Sequence, residues 1–311
     1  MENPPLVSIA LCTYNGAAFL KEQLDSILKQ QFENWEIVAV DDCSIDDTWK
    51  ILNEYASQDL RFRLYRNDQN LGYNKNFERA LQLCRGKYIA ICDQDDIWHT
   101  DKLQIQLEAI QENELIYHDS EFIDHAGNSM QTKISDKFNF YRGNRAEAFL
   151  YLNCVSGHSI FMRQSVLRKA LPFPRDFHYD QWLALVATKN GSIDFVDQCL
   201  VQYRQHQKNN TDMLALHATA RSTNQKIAEI ERESNWLKLC SEKFGHEPQR
   251  LTLKLYQQSL ARNASFVYVP YAITIWRNRK ILLALLKKSE VSKFFFTIRK
   301  IWGPKAKRVL G

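Results

Sequence analysis

Four times within the first 112 residues, a short continuous apolar run breaks into a polar turn and is followed by apolar residues at helical spacing. Residues 7–11 (VSIAL) precede Thr13-Tyr14-Asn15-Gly16 and then Leu20, Leu24, Ile27 and Leu28. Residues 35–40 precede Asp41-Asp42-Cys43-Ser44 and then Trp49, Leu52 and Ala56. Residues 62–65 precede a helical pattern near 74–84, and residues 88–92 (YIAIC) precede Asp93 and then Leu103, Ile105, Leu107 and Ile110. Strands that are apolar at every position are buried on both faces, and their regular alternation with helices predicts a parallel, doubly wound α/β sheet. Ligands of such sheets gather beyond the carboxyl ends of the strands. The residues just after each run are therefore where chemistry is expected, and they are rich in carboxylates.

After residue 115 the alternation weakens. Residues 115–123 read as a further strand, Gly127-Asn128 as a turn, and 159–162 and 192–196 as short strands, while the chain from about Leu214 reads as helical. This predicts an α/β domain over 1–212 and a helical, basic extension over 213–311. A chain of 311 residues can bury a full core. Its seven cysteines, at 12, 43, 84, 92, 154, 199 and 240, form no C-x-x-C pair, which argues against a disulfide framework or zinc ribbon and for a reducing compartment. The opening MENPPLVSIALC lacks the basic stretch and long apolar run of a signal peptide, so a cytoplasmic location is expected.

Among the candidate sites, Asp93-Gln94-Asp95-Asp96 stands first. Three carboxylates in four residues repel one another unless a cation or donor network compensates, so the cluster suits a hard divalent ion, and through it phosphates. A solvated acidic turn leading into the next helix is the plainer alternative, with Asp101 favouring that helix's N-terminus. In Asp41-Asp42-Cys43-Ser44-Ile45-Asp46-Asp47-Thr48, Ser44 with Asp47 resembles a capping box, which leaves Asp42 unexplained. A carboxylate there can accept the N3–H of a uracil or thymine ring, and Tyr14 of Thr13-Tyr14-Asn15 can stack on the same base.

Taken together, the segments VSIALCTYNGAAFLKEQLDSILKQ, WEIVAVDDCSIDDT, NLGYNKNFERAL and GKYIAICDQDDIWHTDKL resemble, in order and spacing, the nucleotide-binding half of the family-2 glycosyltransferases. The DQDDIW variant is similar to a bacterial branch described as rhamnosyltransferase-like, and the resemblance spans about residues 6–210. It implies a Rossmann-like GT-A domain, a nucleotide-diphosphate sugar donor, and Mn2+ or Mg2+. It also implies that Tyr14 and Asp42, with Thr13 and Asn15 beside them, bind the base, that Asp95 contacts the ribose, and that Asp96 holds the metal against the diphosphate, supported by Asp93. Lys75 and Asn76 flank the donor in this reading, and Gly157 lines the sugar and acceptor cleft. Arg204 neutralises phosphate, and His206 joins Asp95 and Asp96 at the metal. Asp180, in DQWLA, resembles the family's catalytic base, a carboxylate within hydrogen-bond reach of the acceptor hydroxyl; it also suits the start of the helix that follows. The sequence departs from the family pattern at Cys12, where many members have Pro, and at Tyr179, where branch members often have His; His178 lies one position earlier.

The implied function is inverting transfer of a sugar from a dTDP- or UDP-linked donor to a hydroxyl of a growing, lipid-linked surface polysaccharide such as an O-antigen or capsule glycan. A non-catalytic nucleotide-sugar-binding subunit is the alternative, against which the intact Asp93, Asp95, Asp96 and Asp180 argue. A sugar nucleotidyltransferase would need a Gly-rich phosphate loop after the first strand, and Thr13-Tyr14-Asn15-Gly16-Ala17 is not one.

Charge is distributed unevenly. From residue 277 onward, 11 Lys/Arg stand against one acid, Glu290, a net +10, while the preceding residues hold 30 Lys/Arg against 35 Asp/Glu, a net −5. Apolar runs in 266–311 are too short and too interrupted for a spanning helix. Aromatics and leucines interleaved with Lys and Arg predict peripheral attachment to an anionic membrane surface, with a helical bundle bearing a solvated basic face as the alternative. No nucleic-acid module accompanies the charge, so nucleic acid is not an expected partner.

Overall fold

The apolar runs form the centre of one sheet. Every residue of β1 (Val7–Thr13), β2 (Trp35–Asp41) and β4 (Tyr88–Cys92) is buried, as strands covered on both faces must be. The structure is a computed structural model that describes residues 5–206, 214, 222–244 and 250–310. Two units cluster within it, Met1–Asn144 with Cys154–Lys208, and Arg145–Asn153 with Asn209–Gly311. The boundary expected at 212/213 lies outside the described residues.

In the first unit, α1 (Leu20–Leu28) follows β1, α2 (Thr48–Ala56) follows β2, and α3 (Tyr73–Leu83) follows β3 (Phe62–Arg66). After β4 come β5 (Ile97–Trp98), α4 (Lys102–Ile110), β6 (Leu115–Ile123), β7 (Ser129–Lys133) and the short α5 (Ile134–Lys137). A tight helical turn at Gly157–Ser159 leads to β8 (Phe161–Arg163), α6 (Gln164–Ala170), α7 (Tyr179–Asn190) and β9 (Ile193–Arg204). The strand order is β3-β2-β1-β4-β8-β6-β9-β5, with β7 pairing β6. The first four of these are mutually parallel, as their alternation with helices predicts. Beyond them the sheet is mixed: β8 runs antiparallel to β4 and β6, β6 is parallel to β9, and β5 is antiparallel to β9. Beside β4 lies β8, so the Gly157–Ser159 turn comes close to the acidic residues that end β4.

The second unit is helical: α8 (Thr223–Phe244), α9 (Arg250–Ala264), α10 (Val269–Arg277), α11 (Arg279–Leu282), α12 (Glu290–Ile298) and α13 (Pro304–Leu310). Arg145–Asn153, expected with the α/β domain, clusters here; Ala148, Phe149 and Leu150 are buried, and the Tyr151 hydroxyl donates to Tyr271 at 2.9 Å. The Glu233 carboxylate organises the interior, accepting from Arg262 Nη1 at 2.8 Å, from the Tyr271 hydroxyl at 3.0 Å and from Lys300 Nζ. Among the described residues, no helix is long and apolar enough to cross a membrane.

Candidate active site

Two acidic loops end the central strands, and their carboxylates meet different fates. After β1 and β2 the side chains tie the loops to one another. Thr13 Oγ1 donates to Asp41 Oδ1 at 3.0 Å, Asn15 Oδ1 accepts from Ile45 N at 2.9 Å, and Asn15 N donates to Ser44 Oγ at 2.9 Å. Asp42, 2% exposed, accepts from Asn67 Nδ2 at 2.6 Å and Leu71 N at 2.8 Å through Oδ1, and from Gly72 N at 2.9 Å through Oδ2. Gly72 has φ +81°, a left-handed backbone that glycine adopts without strain. Asn76 extends the network, accepting from Asn67 Nδ2 at 2.9 Å and donating to Val40 O at 2.9 Å. Asp46 is treated likewise: burial pushes its pKa up, but hydrogen bonds from Thr48 and the Ala17 N–H outweigh that and leave it below the usual carboxylate range. Tyr14 stays 47% exposed, its backbone clasped by the Gln94 amide.

After β4 the carboxylates are left unbalanced. Asp96 is wholly buried; its Oδ1 accepts from Arg204 N at 3.0 Å, while Oδ2 has no hydrogen-bond partner. Burial first, then the charges of Asp95 and Asp93, push its pKa well up; Asp93 is pushed up by burial and by the charges of Asp95 and Asp180. His158 faces both, its Nδ1 lying 3.8 Å from Asp93 Oδ2 and 3.8 Å from Asp96 Oδ2. Burial and the nearby Lys102 charge bring the His158 pKa down to about 3. The neutral ring makes a contact of 2.9 Å between Nε2 and Ser120 Oγ. A donor proton on Nε2 leaves the Nδ1 lone pair turned toward the two carboxylates.

One ligand atom each from Asp93, Asp96 and His158 lies within 4.8 Å of the others. Two carboxylates, one with an orphaned buried oxygen, and a neutral imidazole whose other nitrogen is held by a hydroxyl form a donor set that fits a divalent ion such as Mn2+ or Mg2+. This set differs from the expected Asp95, Asp96 and His206. Asp96 is common to both, but Asp95 Oδ2 and His206 Nε2 face each other at 2.8 Å, and the His206 ring stacks on Phe19 at 5.0 Å.

Asp180 lies in the first turn of α7, half-buried, with Oδ1 accepting from Gln181 N at 2.6 Å. Burial raises its pKa to about 7, and its charge reaches Asp93. The structure thus brings Asp180 to the β4 acids from 84 residues further along the chain. Gly157 is explained by close packing: a Cβ there would lie 2.0 Å from the Tyr179 hydroxyl. His178 Nδ1 contacts the Tyr73 hydroxyl at 2.9 Å.

Other expected donor contacts are engaged within the protein. The Arg204 guanidinium, 1% exposed, donates to Asp95 O at 2.8 Å, to His125 O at 3.0 Å and to Glu22, and lies 4.8 Å over the Phe19 ring. It braces the acidic loop instead of presenting a free cation to phosphate. Lys75 Nζ pairs with Glu78 at 2.7 Å. Two residues outside the expected set belong to the site, His158 and Lys102. The first was adjacent to a glycine already singled out. The second, fully buried, donates to His158 O at 3.2 Å and lies 3.9 Å from the Trp98 ring centroid; nothing in its local pattern distinguishes it from a solvent-facing helical lysine.

The sequence profile of glycosyl transferase family 2 matches residues 8–171, more than half of the chain. The chain belongs to glycosyl transferase family 2. It is 28% identical over 243 residues to the Escherichia coli UDP-Glc:alpha-D-GlcNAc-diphosphoundecaprenol beta-1,3-glucosyltransferase WfaP, covering 78% of this chain and 89% of that one. In fold it resembles S. aureus TarS 1–349 in complex with UDP-GlcNAc, with a TM-score of 0.62, 17% identity and coverage of 98% and 90%. It also resembles the mannosyltransferase PcManGT from Pyrobaculum calidifontis in complex with GDP-Man and Mn2+, with a TM-score of 0.51, 16% identity and coverage of 99% and 87%. The fold is GT-A-like, α/β with a helical C-terminal region.

Proposed function

We propose that this family-2 glycosyltransferase transfers a sugar, with inversion, from a UDP- or dTDP-linked donor to a hydroxyl of a growing lipid-linked surface polysaccharide at the inner face of the membrane. The observation that carries the reading is Asp180: a half-buried carboxylate with its pKa near 7, set against an acid cluster that fits a divalent ion. A general base works best with a pKa near the working pH. Asp180 accepts the proton of the acceptor hydroxyl as that oxygen attacks the anomeric carbon. Asp93, Asp96 and His158 would hold the ion, which supplies charge stabilisation to the departing diphosphate when bound.

Around that centre, Asp42 and the Thr13-Tyr14-Asn15 loop form the base-binding edge, with Tyr14 the exposed ring available for stacking and Asn76 holding the Asn67 amide that donates to Asp42. Asp95, oriented by His206, is placed for the ribose; Gly157 and Tyr179 shape the wall on the sugar side. Arg204 acts by fixing the loop that carries Asp95 and Asp96. The transferase WfaP, whose name specifies a UDP-glucose donor and a diphosphoundecaprenol-linked acceptor, supports the donor and acceptor classes. The test is incubation with UDP- and dTDP-sugars and undecaprenyl-diphosphate-linked saccharides, with the anomeric configuration of the product read by NMR. An inverted, acceptor-dependent product is expected; a retained configuration, or donor binding with no transfer to any such acceptor, would overturn the reading.

A further inference from the structure

Helix α12 in the second unit is amphipathic, but its apolar stripe points to solvent. Val291, Phe294, Phe295 and Ile298 recur at i, i+3, i+4 and i+7, a spacing that ordinarily faces a core. Here Val291 is 66% exposed, Phe295 59% and Phe294 43%, while the polar Thr297 is buried, its hydroxyl donating to Lys293 O at 2.9 Å. The stripe continues onto α10: Trp276 meets Phe294 edge-on at 5.3 Å, and one turn earlier Ile273 is 44% exposed.

Apart from Glu290, the charged residues from 277 to 293 are all basic. Arg277, Lys280, Lys287 and Lys288, in and just after α10 and α11, are exposed. The sole acid from residue 277 onward, Glu290, is neutralised by Arg279 Nε at 2.9 Å and Lys293 Nζ at 3.1 Å, and Arg279 also lies 4.3 Å over the Trp276 ring. Aromatic and aliphatic side chains level with a cationic border suit the headgroup and acyl boundary of an anionic bilayer. A symmetric dimer through the same face would instead bring two cationic borders together.

We propose that the outward face of α10 and α12, built on Ile273, Trp276, Val291, Phe294 and Phe295 and bordered by Arg277, Lys280 and Lys288, docks on an anionic lipid bilayer. This rests on the proposed lipid-linked acceptor and names the surface that would meet its membrane. The test is co-sedimentation of the full chain with phosphatidylcholine vesicles, with and without phosphatidylglycerol, for wild type, Val291→Ser/Phe295→Ser and Lys280→Glu/Lys288→Glu. Wild type should bind the anionic vesicles and spare the neutral ones. The apolar pair should lose most binding, and the charge pair at least about thirtyfold in partition, since each basic residue lost costs roughly fivefold and each carboxylate introduced adds repulsion from the anionic surface. UDP-induced thermal stabilisation with Mn2+, read on the same preparations, should be unchanged in both variants, showing that they are folded. Binding of both variants equal to wild type would overturn the docking face, as would a concentration-dependent dimer, seen by sedimentation velocity, that the apolar pair abolishes without lipid. Vesicle binding as expected, with no nucleotide response in wild type, would support the docking face while contradicting the transferase reading.

Discussion

The acids that follow β2 and those that follow β4 look alike as sequence, yet they are in opposite electrostatic conditions. Asp42 accepts three hydrogen bonds from Asn67, Leu71 and Gly72, and Asp46 is stabilised as an anion by Thr48 and Ala17. Asp96 has an oxygen with no partner, and Asp93, Asp96 and Asp180 are all pushed toward protonation. A carboxylate surrounded by donors stabilises the fold that surrounds it. A set of carboxylates gathered with too few donors costs stability in the absence of a cation, and such a cost is typical of places where a ligand or proton is to be handled. On the proposed reading, the first loop frames the donor's base and the second is the reactive centre.

Substitutions that neutralise charge without changing shape can break this contrast. The largest effect is expected for Asp180→Asn, which should lower kcat by about 10²–10⁴-fold while leaving nucleotide-diphosphate affinity, measured by calorimetry, essentially unchanged; parallel loss of both would remove Asp180 from the base role. Next, Asp42→Asn and Asp96→Asn should shift stability in opposite directions. Asp42→Asn places an amide where three donors converge and should cost about 2–4 kcal/mol, read as a lower Tm. Asp96→Asn removes a buried, partly unpaired charge and should raise Tm of the metal-free protein at neutral pH. Two decreases of equal size would mean that the β4 acids are as well satisfied as those of β2.

A smaller effect concerns pH. The folded-state pKa of Asp180, about 7, lies above the ordinary unfolded value of ~3.9, so between these limits the folded state binds the extra proton. The proton-linked stability is therefore fully present below pH ~4 and is lost as pH rises toward 7. Asp180→Asn should flatten this decline by on the order of 1–2 kcal/mol, allowing for screening of a half-buried group, as followed by denaturant titration across pH. Activity should run the other way, rising with pH up to about 7 as the base ionises. The smallest expected effect belongs to Ser120→Ala. Losing the hydroxyl that fixes the His158 ring should weaken Mn2+ binding about tenfold, with transfer restored at higher Mn2+.

Much of the first unit was legible because burial on both faces leaves an unmistakable pattern. β1, β2 and β4 are apolar at nearly every position, and their helices carry a regular stripe. β9 was legible only in its first residues: it runs from Ile193 to Arg204, but Asp194, Asp197, Gln198 and Gln202 interrupt its apolar pattern because part of one face is wet. The acid loops announced themselves by composition, whereas the distinction between them did not, since hydrogen-bond satisfaction depends on Asn67, Leu71 and Gly72 arriving from a separate loop. His158 and Lys102 were hidden for the same reason. Their meaning lies in β8 docking beside β4 and in the burial of a helical lysine, neither of which a local window contains. In the second unit the charge and aromatic content were plain, but the outward direction of Phe295 was not, because an amphipathic pattern does not say which face finds a partner.

The central claim, that the unbalanced acids after β4 hold a divalent ion against a nucleotide diphosphate, is tested most directly by thermal stabilisation of wild type and Asp96→Asn with UDP or dTDP, with and without Mn2+. Binding to the native state alone raises stability by mass action, about 2.7 kcal/mol at a hundredfold excess over Kd. The account predicts a metal-dependent rise in Tm for wild type that Asp96→Asn abolishes. A rise of the same size in Asp96→Asn, or one indifferent to Mn2+, would contradict it.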